Sequence, residues 1–126
     1  MNLAAQKPDR RKQKRYNVVK GAYAVVQPGA AKLGQIRNIS LGGLSFKYIA
    51  SETRNNAAQN IDILIGKHNF HLKQIPVKSV FDMALEKESP FSTVCMRQQA
   101  VQFKNLTEEQ AAQLRHLLQH HTTSET

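Results

Sequence analysis

The side chains best suited to bind a small polar molecule stand in one short stretch, Asn38-Ile39-Ser40-Leu41-Gly42-Gly43. Side chains two positions apart on a strand point to the same face, so Asn38 and Ser40 would present an amide and a hydroxyl side by side. Those groups match the edge of a guanine and a phosphate oxygen. Gly43 has no Cβ, which permits positive φ or a close approach of a ligand to the backbone. Taken alone, the stretch is more simply interpreted as a turn stabilised by its own Asn and Ser side chains.

Two arginines in the basic run Arg10-Arg11-Lys12-Gln13-Lys14-Arg15 could supply the other half of such a site. A guanidinium group pairs bidentately with phosphate and with the O6/N7 edge of guanine, and it also stacks on a base. Arg11 and Arg15 are separated by three residues, so both could reach one ligand if the segment folds over it. From composition alone, a solvated basic tail that contacts nothing, or binds polyanions without specificity, is the simpler interpretation.

The overall composition indicates one basic domain with an anionic partner. The 126 residues are enough for a single domain, and 18 lysines and arginines against 9 acidic residues give a net charge of +9. This balance favours a nucleotide, a nucleic acid or an acidic membrane surface. The chain has three Tyr, five Phe and no Trp, so platforms for stacking single-stranded nucleic acid are scarce.

The cellular location follows from the cysteine count and from the apolar segments. Cys95 is the single cysteine, so a reducing compartment is expected. The first residues contain no apolar run long enough for a secretory signal. No stretch approaches the ~18 apolar residues that span a bilayer. We therefore expect a cytoplasmic protein without a transmembrane segment.

Short runs of alternating or β-branched residues, separated by turn signals, predict a series of strands. The strands are expected at 17–26, 32–39, 44–48, 60–66, 70–82 and 91–104. Gly34 suggests a bend or bulge, Pro76 an edge position or a bulge, and Cys95 a small core residue. Strands without helical crossovers pair antiparallel, and a small closed or nearly closed barrel removes their edges.

The final element changes from the period of a strand to that of a helix. Thr107-Glu108-Glu109-Gln110 has the form of a capping box, and the two glutamates are favourable in the first turn. An apolar stripe follows at helical spacing, formed by Ala111, Leu114, Leu117 and Leu118. The helix should therefore pack on one opening or face of the sheet.

No grouping of residues indicates catalysis or a metal site. His116 and His120 have the spacing of metal ligands on a helix, but no acidic or Cys third ligand is evident. Asp82, Glu86 and Glu88 gather near a predicted hairpin without forming an acid–base pair. We expect neither an enzyme, nor a cofactor, nor a bound metal.

The two polar motifs together are far more specific than either alone. Arg-x-x-x-Arg before the first strand, followed by Asn-x-Ser-x-x-Gly after the second, resembles the PilZ family, and the resemblance covers nearly the whole chain. The segment Ala100-Val101-Gln102-Phe103 before a capped helix is similar to the end of that domain. Two positions depart from the usual pattern: Asn38 stands where Asp is often found, and Ala100 stands where Gly often precedes the Val-x-Phe segment.

The resemblance implies a fold and a ligand. The fold would be mostly β, a six-stranded antiparallel β-barrel with a C-terminal α-helix, and the ligand would be the bacterial second messenger cyclic di-GMP. By position, the implied ligand-binding residues are Arg10, Arg11, Arg15, Asn38, Ser40, Gly42 and Gly43. With the element pattern, we expect a flexible basic arm at 1–16, the barrel and helix at 17–121 and a polar tail at 122–126.

The leading hypothesis is a cyclic di-GMP receptor that relays its signal to an unidentified partner protein by a conformational change, with no specific DNA or RNA partner. Two alternatives stay open. One is an adaptor of the same fold that binds no nucleotide, against which the intact arginines argue. The other is a small basic barrel that binds nucleic acid nonspecifically, against which the scarcity of aromatic residues argues.

Overall fold

The computed structural model describes residues 14–27, 32–50, 59–87, 89–91 and 93–125. The elements in chain order are β1 (Tyr16–Val18), β2 (Ala22–Gln27), β3 (Lys32–Ile39), β4 (Gly43–Ile49), β5 (Gln59–Ile65), β6 (Phe70–Ala84), β7 (Met96–Phe103), α1 (Glu108–His120) and β8 (Thr122–Glu125). A short 3-10 turn, Gly66–His68, joins β5 to β6.

Six of the strands close into an antiparallel barrel. They are hydrogen-bonded in the order β2-β5-β6-β7-β4-β3, and β2 also pairs with β3, which closes the ring. Each barrel strand therefore has two barrel neighbours, and closure removes the open edges that would otherwise pair with other chains. β1 pairs with the end of β3, and β8 pairs with β1, so two short strands extend the sheet beyond the barrel. The predicted six-stranded barrel with a C-terminal helix is confirmed.

Alternating apolar side chains fill the interior of the barrel. Ile61, Ile63 and Ile65 of β5 are fully buried, as is Phe46 of β4. Burial of one side chain of this size contributes about 1.5–3 kcal/mol relative to leaving it exposed. The inward-facing residues of all six strands thus form one continuous core, and the residues between them are left to form the outer face.

Helix α1 begins at the predicted cap. Thr107 Oγ1 accepts a hydrogen bond from the Gln110 backbone N–H at 3.0 Å, and Gln110 Oε1 accepts one from the Thr107 N–H at 3.0 Å. The predicted capping box is therefore confirmed. Leu114 and Leu117 of the apolar stripe are fully buried, and the helix packs against β6 and β8.

Both ends of the described chain are paired more extensively than predicted. The strand expected at 17–26 is two strands, because Gly21 takes a φ of 88° and turns the backbone between β1 and β2. Tyr16, assigned to the arm, already belongs to β1. The residues after 121 are polar, as expected for a tail, but Thr122–Glu125 form a strand on β1.

The irregularity predicted at Gly34 lies elsewhere in β3. The register of β3 against β4 shifts between Ile36 and Asn38. Gly34 has a different role: a Cβ at this position would overlap the carbonyl oxygen of Lys47 on β4. The missing side chain therefore allows two strands to approach closely, without a bend in the strand that carries it.

Two predictions for the later strands also need correction. Pro76 lies within β6, which pairs with β5 and β7, so it is not at an edge of the sheet. The bulge lies two residues earlier, at Gln74, which has a φ of 57°. There β6 has one extra residue opposite Asp62 of β5. The strand predicted to start at 91 begins at Met96. Cys95 precedes that strand and is exposed, so it is not a core residue.

Candidate ligand-binding site

A β-bulge in β3 directs Asn38, one of the predicted binding residues, to the outer face of the barrel. Arg37 is an extra residue between Ile36 and Asn38, which pair with successive residues of β4. Ile36 and Ile39 are both buried in the core, whereas Arg37 is exposed and Asn38 is half-buried. The bulge therefore places two consecutive polar side chains on the outer face of the barrel, an arrangement that strict alternation forbids.

A second β-bulge lies across the same face, in β6. Val80 is the extra residue between Ser79 and Phe81, which pair with successive residues of β7. Ser79 and Asp82 hydrogen-bond to buried side chains on the inner face. Val80 and Phe81 lie outside, with 63% and 41% of their surface exposed. Bulges of this kind are common beside binding sites, because they re-aim side chains.

A cleft of about 400 Å³ lies on this outer face. That volume is within the range of small-ligand sites. The cleft brings together five of the seven residues predicted to bind ligand: Arg15, Asn38, Ser40, Gly42 and Gly43. The other two, Arg10 and Arg11, lie outside the described residues.

Ser40 stabilises the turn between β3 and β4. Its Oγ accepts hydrogen bonds from the backbone N–H groups of Gly42 at 3.1 Å and Gly43 at 3.2 Å. Its own N–H donates to the Gly43 carbonyl at 2.8 Å. The simpler interpretation of this stretch, a turn held by its own side chains, is therefore confirmed for Ser40. Its hydroxyl shapes the cleft through the backbone of the turn.

The side chain of Asn38, unlike that of Ser40, hydrogen-bonds to a neighbouring strand and not to its own turn. Its Oδ1 accepts a hydrogen bond from Ser45 Oγ at 3.0 Å. This bond orients the amide, and it leaves the two hydrogens of Nδ2 as donors. Within the described part of the chain, that nitrogen has no hydrogen-bond partner. Asn38 therefore presents a hydrogen-bond donor to the cleft.

Gly43 is needed for close packing, not for an unusual backbone conformation. Among the described residues, the glycine with positive φ is Gly21, so the positive φ considered for Gly43 is wrong. A Cβ at Gly43 would overlap the carbonyl oxygen of Val101 on β7. The neighbouring Gly42 carbonyl accepts a hydrogen bond from the Phe103 N–H at 2.8 Å. The two glycines thus bring the turn against β7 and form the floor of the cleft.

The opposite wall of the cleft comes from β6 and β7, and it was not predicted. It is formed by Val80, Phe81, Gln98, Ala100 and Gln102. The signal in the sequence is weak: two adjacent apolar residues, Val80-Phe81, interrupt the alternation of a long strand. That interruption marks the bulge only once the pairing of β6 with β7 is known.

Two arginines give this region its positive charge. Arg15, directly before β1, is exposed and lines the cleft. Arg37 reaches across β4, and its Nη1 donates a hydrogen bond to Gln98 Oε1 at 3.1 Å. With a net charge of +9 on the chain, these side chains favour an anionic ligand.

Asp82 belongs to a polar cluster on the inner face of the sheet; Glu88, which was predicted to gather with it near a hairpin, lies outside the described residues. It accepts hydrogen bonds from Tyr48 Oη at 2.6 Å and Arg97 Nε at 2.9 Å. Lys32 Nζ donates to the same carboxylate at 3.2 Å. Burial alone would raise the pKa of Asp82, but the three hydrogen bonds outweigh it and lower that pKa. Burial and the adjacent carboxylate raise the pKa of Tyr48 to about 12.

Four histidines gather where the end of α1 meets the 3-10 turn. The ring centroids of His116 and His120 are 4.4 Å apart, and those of His68 and His121 are 4.5 Å apart. His121 is 8% exposed, and its Nδ1 has no partner among the described residues. Burial, and then the neighbouring imidazoles, lower the pKa of His121. The described residues contain no group of three His, Cys, Asp or Glu that could hold a metal ion.

The fold and the cleft together define the class of protein. It is a small, closed antiparallel β-barrel with a polar cleft on its outer face, lined by Arg15 and Asn38, and a capped helix packed beside it. The family model for the PilZ domain matches residues 9–120. The chain therefore belongs to the PilZ domain family.

Solved structures share this fold at low sequence identity. The PilZ domain with c-di-GMP of YcgR from Escherichia coli has a TM-score of 0.63 and 14% identity, over 88% of this chain and 91% of that chain. The K. pneumonia MrkH–c-di-GMP complex has a TM-score of 0.66 and 16% identity, over 88% of this chain and 52% of that chain. A further structure is of MrkH, described as a c-di-GMP-dependent transcription regulatory factor. It has a TM-score of 0.60 and 16% identity, over 87% of this chain and 50% of that chain.

These similarities concern the fold alone, because the identities are low. The chain spans about half the length of the MrkH chains that it matches. No curated protein matches the chain. Among the helices that the structure describes, none combines the length and the apolar character needed to cross a bilayer.

Proposed function

We propose that this chain is a receptor for cyclic di-GMP and that it performs no catalysis of its own. The observation that carries the proposal is one cleft of about 400 Å³ that is lined jointly by Arg15, Asn38, Ser40, Gly42 and Gly43. Membership of the PilZ family supports the same ligand. So does the similarity in fold to two structures described with c-di-GMP.

The polar groups of the cleft have matching groups on cyclic di-GMP, which carries two phosphates and two guanines. The guanidinium group of Arg15 pairs bidentately with a phosphate or stacks on a guanine. Asn38 Nδ2 donates to a phosphate oxygen or to a guanine acceptor. The turn held by Ser40 keeps the backbone at the floor of the cleft in a fixed position before the ligand arrives, which lowers the entropic cost of binding.

The proposal extends to the arm before β1, and so to Arg10 and Arg11. Arg11 would bind the same ligand as Arg15 when the arm closes over the cleft. Fixing a backbone residue costs about 1–2 kcal/mol, so the charged contacts must exceed that cost. The covered face is then the signal that a partner protein recognises. We propose a cytoplasmic location for this receptor, which the single cysteine, Cys95, supports.

Titration calorimetry of the folded chain with cyclic di-GMP, GTP and a short single-stranded oligonucleotide tests the proposal. We expect saturable binding of cyclic di-GMP in preference to the other two. Arg15→Ala should weaken that binding by at least about tenfold, because a hydrogen bond to a charged group contributes about 1.5–3 kcal/mol. Lys20→Ala removes an exposed positive charge between β1 and β2 and should change the affinity by less than about twofold.

A folded protein that does not bind cyclic di-GMP would overturn the proposal. Heat from the oligonucleotide alone, falling steeply with added salt, would instead indicate a barrel that binds polyanions nonspecifically. Absence of heat from all three ligands would indicate an adaptor that binds no nucleotide.

A further inference from the structure

The wall of the cleft that faces the predicted motifs has a polar group in a fixed orientation, Gln98. Its Oε1 accepts the hydrogen bond from Arg37 Nη1 at 3.1 Å. Arginine can only donate, so the amide oxygen must face Arg37 and the amide nitrogen must face away from it. No other hydrogen bond to the Gln98 side chain exists within the described part of the chain. The hydrogen bond from Arg37 engages Gln98 Oε1, and the two N–H donors of Gln98 Nε2 have no partner among the described residues.

The same wall has an aromatic side chain, Phe81. The bulge at Val80 turns Phe81 onto the outer face, where it pairs with Ala100 and leaves 41% of its surface exposed. An exposed aromatic ring beside a methyl-sized neighbour offers a flat apolar surface, and bases stack on such surfaces. The hydrophobic core does not need this ring, because the inner positions of β6 are filled by other side chains.

We infer that Phe81 and Gln98 form the base-recognition wall of the cleft and make the receptor selective for guanine over adenine. This inference deepens the proposed function and rests on it. Phe81 stacks on one base of the cyclic dinucleotide, and the Gln98 amide donates to the O6/N7 edge of a guanine. Arg37 is a positioning residue, because it acts through Gln98 and fixes which end of the amide faces the ligand.

The preference for guanine follows from the donor pattern. Guanine presents two acceptors, O6 and N7, on this edge, and adenine presents the N7 acceptor beside the N6 donor group. With Oε1 engaged by Arg37, the two N–H donors of Gln98 Nε2 face the two acceptors of guanine. Against adenine, one of these donors faces the N6 donor group and has no acceptor. Cyclic di-AMP has the same two phosphates and the same ring, so it tests the base contacts separately from the charge contacts.

The experiment measures dissociation constants for cyclic di-GMP and cyclic di-AMP with four variants by titration calorimetry. Gln98→Glu keeps the acceptor for Arg37 and removes the donors; its control, Gln35→Glu, makes the same charge change at an exposed position of β3. Phe81→Leu keeps an apolar side chain and removes the ring; its control is Phe91→Leu, at a phenylalanine that is 91% exposed.

Wild-type protein is expected to bind cyclic di-GMP at least about tenfold more tightly than cyclic di-AMP. Gln98→Glu should lose most of that ratio, and Gln35→Glu should keep it. Phe81→Leu should weaken binding of cyclic di-GMP by roughly fivefold or more relative to Phe91→Leu. Near-ultraviolet circular dichroism confirms that each variant is folded.

Three results separate the inference from the proposed function. If Gln98→Glu and Phe81→Leu bind cyclic di-GMP as their controls do, while Arg15→Ala does not, the inference is wrong and the proposed function stands. If wild-type protein binds both dinucleotides equally, the assigned selectivity is wrong. If wild-type protein binds neither, the proposed function and the inference are overturned together.

Discussion

Gly43 of β4 lies at the cleft, directly against the Val101 carbonyl of β7. Gly43→Ala is expected to lower the free energy of unfolding by about 1–3 kcal/mol, because the added methyl group must displace the Val101 carbonyl. Gly66→Ala is the matched control, since a Cβ there meets nothing within 4 Å. It should change the free energy of unfolding by less than about 1 kcal/mol. Urea denaturation measures both, and equal losses would contradict the packing role of Gly43.

Asp82 is expected to stabilise the inner polar cluster at neutral pH. Asp82→Ala should lower the free energy of unfolding by about 1–3 kcal/mol, because Tyr48 and its other partners lose their acceptor. The folded-state pKa of Asp82 is lowered, so its contribution is present above the unfolded value of 3.8 and is lost as the pH falls through the folded pKa. Glu86→Ala, at an exposed position after β6, is the control. Urea denaturation at pH 7 and towards pH 3 should show the difference between the two variants shrinking in acid.

At the scale of residues, the sequence predicts which side chains line the cleft, but it does not predict all of their hydrogen-bond partners. Asn38 and Ser40 have the residue types of a ligand site, and the cleft includes both. Their hydrogen bonds differ, however, since Ser40 bonds to its own turn and Asn38 bonds to Ser45 on the next strand. The first bond is local and follows from the sequence. The second depends on the register of two strands, which no single stretch of sequence specifies.

Gln110 connects helix α1 to the bulge in β6 as well as closing the capping box. Its Nε2 donates to the carbonyl oxygens of Lys73 at 2.9 Å and Gln74 at 3.1 Å. Gln110→Ala is expected to lower the free energy of unfolding by about 1–2 kcal/mol, because the Thr107 N–H and these carbonyls lose a partner. Gln119→Ala, exposed on the same helix, should stay within about 0.5 kcal/mol of wild type. Thermal unfolding followed by circular dichroism compares the two, and similar melting temperatures would contradict the bridging role.

At the scale of elements, the predictions succeeded where the signal is local. The helix start at Thr107 follows from four adjacent residues, and the barrel strands follow from short alternating runs. The bulges at Arg37 and Val80 depend on the partner strands, so the alternation of either strand alone does not locate them. Strand β8 has no apolar alternation at all; it forms because β1 offers it a free edge.

On the scale of the whole molecule, the segment that follows α1 pairs with β1 and so holds the start of the barrel in place. The Val19 N–H donates to the His121 carbonyl at 2.9 Å, and Asn17 Nδ2 donates to Ser124 Oγ at 2.8 Å. Arg15 directly precedes β1, so its position at the cleft depends on this pairing with the chain after α1. Residues about 100 positions apart meet here, which explains why the sequence pattern indicated a separate arm and a separate tail.

The buried imidazole of His121 is expected to make this junction sensitive to acid. The pKa of His121 is lowered from 6.5, first by burial and then by the imidazoles of His68, His116 and His120. The folded protein therefore binds fewer protons at this site than the unfolded chain. The contribution of neutral His121 to the free energy of unfolding is therefore complete above pH 6.5 and is lost as the pH falls from 6.5 through the folded pKa. His121→Phe keeps a ring beside Phe70 and removes the titration, so its free energy of unfolding should fall less between pH 7 and pH 5.5 than that of wild type.

His71 is the matched position for this test. It lies on β6 outside the histidine cluster, and it is exposed beside Asp62 at 3.3 Å. His71→Phe should show the same loss of stability as wild-type protein over this pH range, because the imidazole of His121 is still present. Urea denaturation at several pH values measures the slope for each protein. If His121→Phe loses stability in acid as steeply as His71→Phe does, the acid sensitivity does not arise at the junction of α1 with β1, and another group must carry it.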